Sequence, residues 1–165
     1  MIVIGLGGNV GGEAAVRARF GRAREALAEL GAVRSAGLYR TAAIGPEQPD
    51  YLNSAVGVRW EGAQPAEVIA TVLELERGLG RERRGEARWG PRLIDLDVLW
   101  WAEPAVRSVR QPGFDVPHPR LAARRFALLP LIDVVGGEAL LDGVTLAAHA
   151  ARVHDQRVEL IASSW

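Results

Sequence analysis

Asp95 and Asp97 stand two positions apart inside RWGPRLIDLDVLWW, residues 88–101, where a run of leucine, isoleucine, valine and tryptophan reads as a buried strand. Unpaired carboxylates are costly in such a place, so a cationic partner is expected there. Alternate residues of a strand share a face. The two carboxylates therefore point the same way, roughly 7 Å apart at Cα, while Ile94, Leu96 and Val98 point into the core. Two hard oxygen ligands at that spacing can hold one magnesium between them or bridge two. Taken alone, D-x-D is met more often on a sheet face with both carboxylates in water, so the neighbours decide. Arg81, Arg83, Arg84, Arg88 and Arg92 all lie in the segment that delivers the chain to this pair. Magnesium with several guanidiniums suits a triphosphate, because the metal bridges phosphate oxygens and the arginines neutralise the charge that moves during transfer. An ordinary solvated charge run, with Glu82 and Glu86 as partners, accounts for at least two of the five arginines.

Other candidates carry less on their own. The Gly-rich turn GGNVGG, between a strand and a helix, matches neither G-x-G-x-x-G nor the P-loop, and tight turns use glycine without any ligand. Tyr51 and Asn53 share a strand face, where a ring beside a carboxamide can stack on a flat heterocycle and bond its edge. The same pair is also ordinary strand composition. His118, between two prolines, serves equally as a turn residue or a phosphate contact, and Phe126 defaults to core. No cluster resembles a Ser/His/Asp triad, and the three histidines, His118, His149 and His154, have no zinc-binding spacing.

The elements that must position these residues belong to a chain of 165 residues, 48% hydrophobic and 24% charged, which suits one compact soluble domain over 1–165. No apolar run approaches a membrane span and the start lacks a charged signal region, so the cytoplasm is the expected location. Without cysteine there is no disulfide or thiolate chemistry. Net charge is zero, and all 20 basic residues are arginine. Any anion must then be held by guanidinium groups, backbone amides or metal. The neutral balance also argues against nucleic-acid binding.

Residues 2–6 read as a strand. Val16, Phe20, Ala23, Leu27 and Leu30 then mark one face of a helix that Gly31 stops. Residues 33–40 and 51–60 read as two strands joined by the irregular TAAIGPEQPD. Pro65 opens a second helix carrying Val68, Val72, Leu75 and Leu79, which Gly80 ends. RERRGEARWGPR reads as a long loop, 93–101 as a strand and AEPAVRSVRQPGF as a hairpin. VPHPRLAARRFALLPLIDVV reads as a turn and a helical segment, and 144–152 as a last short helix. The order β-α-β-β-α-β is the split βαβ arrangement. It predicts an α+β fold with a mainly antiparallel sheet, two helices on one face, and loops with a possible site on the other.

In this order the stretches IGLGGNVGG, LYRTAAIGPEQPDYLNSAV, ELERGLGRERRGEARWGPRLIDLDVL and VPHPRLAARRFALLPL resemble the bacterial 6-hydroxymethyl-7,8-dihydropterin pyrophosphokinases of folate biosynthesis. They reach from residue 4 to about 131, and R-W-G-P-R-x-I-D-L-D is the most specific part. The resemblance implies a ferredoxin-like fold and transfer of pyrophosphate from ATP to the pterin's hydroxymethyl oxygen, releasing AMP. It implies that Asp95 and Asp97 ligate two magnesium ions. Tyr51 and Phe126 would sandwich the pterin, Asn53 would read its edge, and backbone groups of Thr41, Ala42 and Ile44 would complete the pocket. Arg81 and Arg92, with Arg83 and Arg88, would grip the triphosphate as their loop closes. Glu76, Val98, His118 and Arg124 would contact ATP, and Trp89 would seal the site. Several positions depart from the family's pattern. The loop before Arg88 is one residue longer than in some members, Ala42 and Ala43 stand where prolines often sit, Leu73 where a polar residue can occur, and Pro119 where a tyrosine can.

The partners this reading implies are ATP and the pterin, with no nucleic acid or membrane, and monomer as the default. Two rival readings use the same fold. One is a non-catalytic ligand- or metal-binding module, which would need the aspartates without a competent arginine loop. The other is an RNA-recognition domain, which shares the split βαβ order but needs paired sheet aromatics and positive charge that this chain lacks.

Overall fold

Strand β1 (Ile2–Gly8) organises the molecule by its alternation: Ile2, Ile4 and Leu6 turn one way, and Val3, Gly5 and Gly7 the other. In the computed structural model, which describes residues 1–43, 45–82, 90–102, 109–111 and 114–165, β1 is a central strand of a six-stranded antiparallel sheet. Its neighbours are β4 (Tyr51–Val58) and β5 (Asp95–Trp101). Beyond β4 lie two short strands on the same edge, β2 (Val33–Ser35) and β3 (Leu38–Thr41), and β3 pairs outward with β10 (Val158–Ala162).

Residues 33–40, expected as one strand, are two because the chain is interrupted at Ala36 and Gly37. There the Gly37 N–H donates to Asp133 Oδ2 at 3.0 Å instead of to a ladder partner. A Cβ on Gly37 would lie 3.0 Å from the Ala162 carbonyl oxygen, so a side chain there would press on the backbone of β10.

Helices α1 (Gly12–Ala28) and α2 (Pro65–Gly78) pack on one face, as the sequence order predicts. Val16, Phe20, Ala23 and Leu27 from α1, with Val68 and Val72 from α2, close over Ile2, Ile4, Leu6, Ile94, Leu96 and Val98. Helix α2 opens on a reciprocal capping box between Gln64 and Glu67, with Pro65 in its first turn. Two short pairs lie outside the main sheet: β6 (Val109–Gln111) with β7 (Phe114–Val116), matching the expected hairpin, and β8 (Leu140–Leu141) with β9 (Val144–Thr145).

The opposite sheet face is not left to loops. Helix α3 (Arg125–Val135) lays Ala127, Leu128, Leu131 and Val134 over Val3, Ala55 and Leu99. Helix α4 (Leu146–Arg152) completes this second core, with Thr145 Oγ1 accepting from the Ala148 N–H. A register shift in β5 adds to this layer: Val3 faces Trp100 while Ile4 faces Val98, so Leu99 has no ladder partner and both Leu99 and Trp100 pack with the α3 core. No described helix is long and apolar enough to cross a membrane.

Candidate active site

Under the start of α3, β1 presents no side chain on that face. Gly5 lies opposite Asp97 on one side and Ala55 on the other, and Gly7 lies between Asp95 and Asn53. The result is a cleft floored by the β1 backbone, with Leu99 packed against Gly5, walled by the two aspartates and Asn53, and roofed by Arg124, Phe126 and Ala127 at the start of α3. A side chain longer than alanine at Gly7 would fill it, since a Cβ there already meets Asn53 Oδ1 at 3.6 Å and Asp95 Cβ at 3.8 Å. A roomier cavity of about 200 Å³ lies on the α1 side of the sheet by Val16, Leu52 and Pro49; its carboxylates are Glu13, paired with Arg40 at 2.8 Å, and Asp50, which is exposed.

Asp95 and Asp97 share this face, and Ile94, Leu96 and Val98 are buried on the other, as strand alternation requires. Burial pushes the Asp97 carboxyl up to about 6. The neighbouring Asp95 and then Glu76 add to the rise, while Arg124 and Arg81 oppose it. Two half-buried carboxylates whose charges repel form a site where added positive charge is favourable.

Arginines already supply part of that charge. Arg81, only 6% exposed, gives its Nη1 to both Asp95 Oδ1 and Glu76 Oε1, and Arg92 Nη1 reaches Asp95 Oδ1 at 3.1 Å. Glu76 is 1% exposed and also accepts the Leu96 N–H at 2.8 Å, which fixes α2 to β5 at the level of the aspartates. Thus Glu76 and Val98, expected among the nucleotide contacts, have side chains in the protein interior. Val98 is there because its parity is opposite to that of Asp97.

Across the cleft, the turn 117–124 closes on Leu121, 1% exposed, with i to i+3 bonds from Leu121 N to the His118 carbonyl and from Arg124 N to the Leu121 carbonyl. Burial lowers the His118 pKa, and Arg124 and Arg120 lower it further, so the ring is neutral at neutral pH. Its Nδ1 accepts the Arg120 N–H at 3.1 Å, which leaves the ring proton on Nε2. Nε2 then faces Arg124 Nη1 at 3.5 Å, donor against donor. An anionic oxygen placed between them would satisfy both. Arg124 also lies over the Phe126 ring, 5.6 Å from its centroid.

On the β3–β4 side, Asn53 Nδ2 donates to Thr41 Oγ1 at 2.9 Å, fixing the plane of the carboxamide. Tyr51 shares the face of Asn53 and donates its hydroxyl to the Gly90 carbonyl at 2.8 Å. Ala42 follows the end of β3 and is exposed. Ile44, Arg83, Arg84, Arg88 and Trp89 lie outside the described residues. The structure thus gathers Asp95, Asp97, Arg81, Arg92, Arg124, His118, Phe126 and Asn53 around one end of the sheet. Sequence reasoning missed the floor at Gly5 and Gly7, and it missed Asn9 beside it.

The raised Asp97 pKa sets a pH dependence. The folded state binds this proton more tightly than the unfolded chain, whose value is near 4. The stabilisation is full below the unfolded value and is lost as pH rises through about 6. In the metal-free protein, Asp97→Asn is therefore expected to flatten the fall in stability between about pH 4 and 6 relative to the parent, read by urea denaturation across that window. Superimposable pH profiles for parent and variant would contradict the shift.

The strand order places the protein among ferredoxin-like α+β domains, with the aspartate-lined cleft at one end of the sheet. The profile of the 7,8-dihydro-6-hydroxymethylpterin-pyrophosphokinase (HPPK) family matches residues 3–136, and the chain belongs to that family. A 2-amino-4-hydroxy-6-hydroxymethyldihydropteridine pyrophosphokinase of Synechocystis sp. is 36% identical over 138 residues, covering 80% of this chain and 65% of that protein. One from Methylorubrum extorquens is 35% identical over 147 residues, covering 86% and 89%. A mitochondrial folate synthesis bifunctional protein of Arabidopsis thaliana is 35% identical over 161 residues, which is 93% of this chain but only 26% of that protein. The crystal structure of wild-type Plasmodium falciparum HPPK-DHPS with pteroate superimposes with a TM-score of 0.63 over 92% of this chain and 44% of that one. At 12% identity that likeness speaks for the fold alone.

Proposed function

We propose that this chain transfers a pyrophosphoryl group from ATP to the hydroxymethyl oxygen of 6-hydroxymethyl-7,8-dihydropterin, releasing AMP, in folate biosynthesis. Asp95 and Asp97 are the residues that would hold the two magnesium ions this reaction needs. The observation that carries the reading is the carboxylate pair itself: two hard oxygen ligands on one face of β5, ringed by Arg81, Arg92 and Arg124, in a chain of this family. Among the described residues no third acidic or histidine ligand joins them. That suits magnesium, which typically takes one or two carboxylates and completes its shell with water and substrate phosphates. When bound, magnesium supplies charge neutralisation at the phosphate oxygens and fixes their orientation.

The remaining work falls to the protein. Tyr51 and Phe126 stack on the pterin, and Asn53, held by Thr41, reads its edge beside the backbone of Thr41, Ala42 and Ile44. His118 and Arg124 converge on a phosphate oxygen, and Arg81 and Arg92, with Arg83 and Arg88, take the remaining triphosphate charge. Trp89 helps to exclude water. The hydroxymethyl oxygen attacks the β-phosphorus, and the bond from that phosphorus to the oxygen bridging the α-phosphate breaks. Its electron pair leaves with AMP, and the alcohol proton passes to solvent. A loose transition state asks little of a general base, so alignment and water exclusion supply most of the rate.

Incubating the protein with ATP, magnesium and the reduced pterin should give AMP in a one-to-one ratio to pterin consumed, and none when any component is omitted. Binding of ATP or pterin without AMP release would overturn the assignment and favour a non-catalytic binding module.

A further inference from the structure

Arg124 and Arg125 are neighbours at the entry of α3, yet their side chains point different ways. Arg124 overlooks the cleft, beside His118 Nε2 and over Phe126. Arg125 turns to the link between α4 and β10, where its Nη1 donates to the His154 carbonyl at 2.7 Å and the Gln156 carbonyl at 2.9 Å. The Gln156 side chain answers from that link. Its Oε1 accepts the Arg125 N–H at 2.9 Å, and its Nε2 donates to the Ala123 carbonyl at 2.9 Å. The amide orientation follows from chemistry, because a backbone N–H only donates and a carbonyl only accepts.

Ala123 and Arg125 flank Arg124, so one side chain brackets the backbone of the arginine that faces the cleft. The bracket meets a local need. Arg124 is the N-cap of α3, in an extended conformation at φ −126° and ψ 96°, and its guanidinium, having only donors, cannot cap a helix N-terminus. The first N–H groups of a helix have no partner within it, and here Gln156 supplies one from 31 residues away. The link that carries Gln156 is held on both sides, by Leu146 and Ala150 of α4 in the second core and by the pairing of β10 with β3. This link lies beyond residue 136, where the match to the family ends.

We infer that Gln156, with Arg125, is a positioning residue that holds Arg124 beside His118, so that the two converge on one anionic phosphate oxygen. The phosphate rests on the proposed activity; the hold on Arg124 does not. Phe126 depends less on the bracket, because it packs with the α3 core.

Two readouts separate this role from a merely structural one, and the first needs no ligand. Burial lowers the His118 pKa most, Arg124 and Arg120 lower it further, and a backbone hydrogen bond and Asp95 oppose them. In Gln156→Ala, NMR titration of the His118 ring should show that pKa raised toward its ordinary value, because Arg124 is no longer held there. In an Arg124→Ala background the same change should leave it unmoved. The second readout is the calorimetric affinity of the full chain for a non-hydrolysable ATP analogue with magnesium. Gln156→Ala should weaken it by about fivefold, the worth of one hydrogen bond, and change pterin affinity by less than about twofold. Arg124→Ala and the double variant Arg124→Ala/Gln156→Ala should bind equally, because Gln156 acts through Arg124. Gln156→Met keeps the length of the side chain and loses both bonds. It should match Gln156→Ala, and it decides the matter if the alanine variant does not fold.

An unchanged His118 titration in the Gln156 variants would overturn the inference. So would the same loss of nucleotide affinity with and without Arg124, the mark of general loosening. A parent that binds no nucleotide removes the proposed activity, and the His118 titration then decides the positioning alone.

Discussion

Asp97→Ala is expected to fold like the parent and to lose magnesium-dependent AMP release by about a thousandfold, equivalent to about 4 kcal/mol of barrier. The fold should survive because the carboxylate is a net burden without metal. Burial and the Asp95 charge hold its pKa up at about 6, and among the described residues no backbone group depends on it in the way that Leu96 depends on Glu76. The activity should not survive, because one carboxylate cannot take the place of two at a site proposed to hold magnesium against a triphosphate. Thermal melts and single-turnover rates measured side by side separate the two effects. Parent-like turnover in this variant contradicts the metal assignment.

Glu76→Ala should behave in the opposite way, costing about 3 kcal/mol of stability before any question of catalysis arises. The carboxylate is buried, accepts the Leu96 N–H at 2.8 Å and holds Arg81. Its removal strips the nearly buried Arg81 of a counter-charge and leaves the Leu96 N–H without its acceptor inside the core. Glu76→Gln retains an acceptor for Leu96 and should cost less. Urea midpoints order the three proteins as parent, Glu76→Gln and Glu76→Ala. A Glu76→Ala midpoint equal to the parent's would show that the network contributes nothing to folding.

Much of the architecture was legible from periodicity. The apolar faces of α1 and α2, the βαββαβ order and the shared face of Asp95 and Asp97 all follow from local spacing, and the structure contains them. What was not legible depends on pairing between distant segments. The bare floor at Gly5 and Gly7 becomes a cleft only once β1 lies between Asp95–Asp97 and Asn53–Ala55, a register no local pattern states. The second helical layer was read as a helix without a destination. A hint was present in Val3, an apolar residue on the face opposite Ile2 and Ile4, because a strand buried on both faces needs a cover on each.

Glu76 carried a clearer signal. It continues the Val68–Val72 step of four on α2, so a carboxylate stood on an apolar stripe, where a buried partner is required. Asn9 was hidden among glycines that explain the turn without it, and its partners are some 40 and 80 residues away in sequence.

The most direct test is a crystal structure of the protein with a non-hydrolysable ATP analogue, magnesium and the pterin. The account predicts metal density between Asp95 and Asp97 and the phosphate oxygens, with Arg92 moved from Asp95 onto the triphosphate. Nucleotide bound with both aspartate side chains still tied to arginine or facing water, and no ion between them, would contradict it.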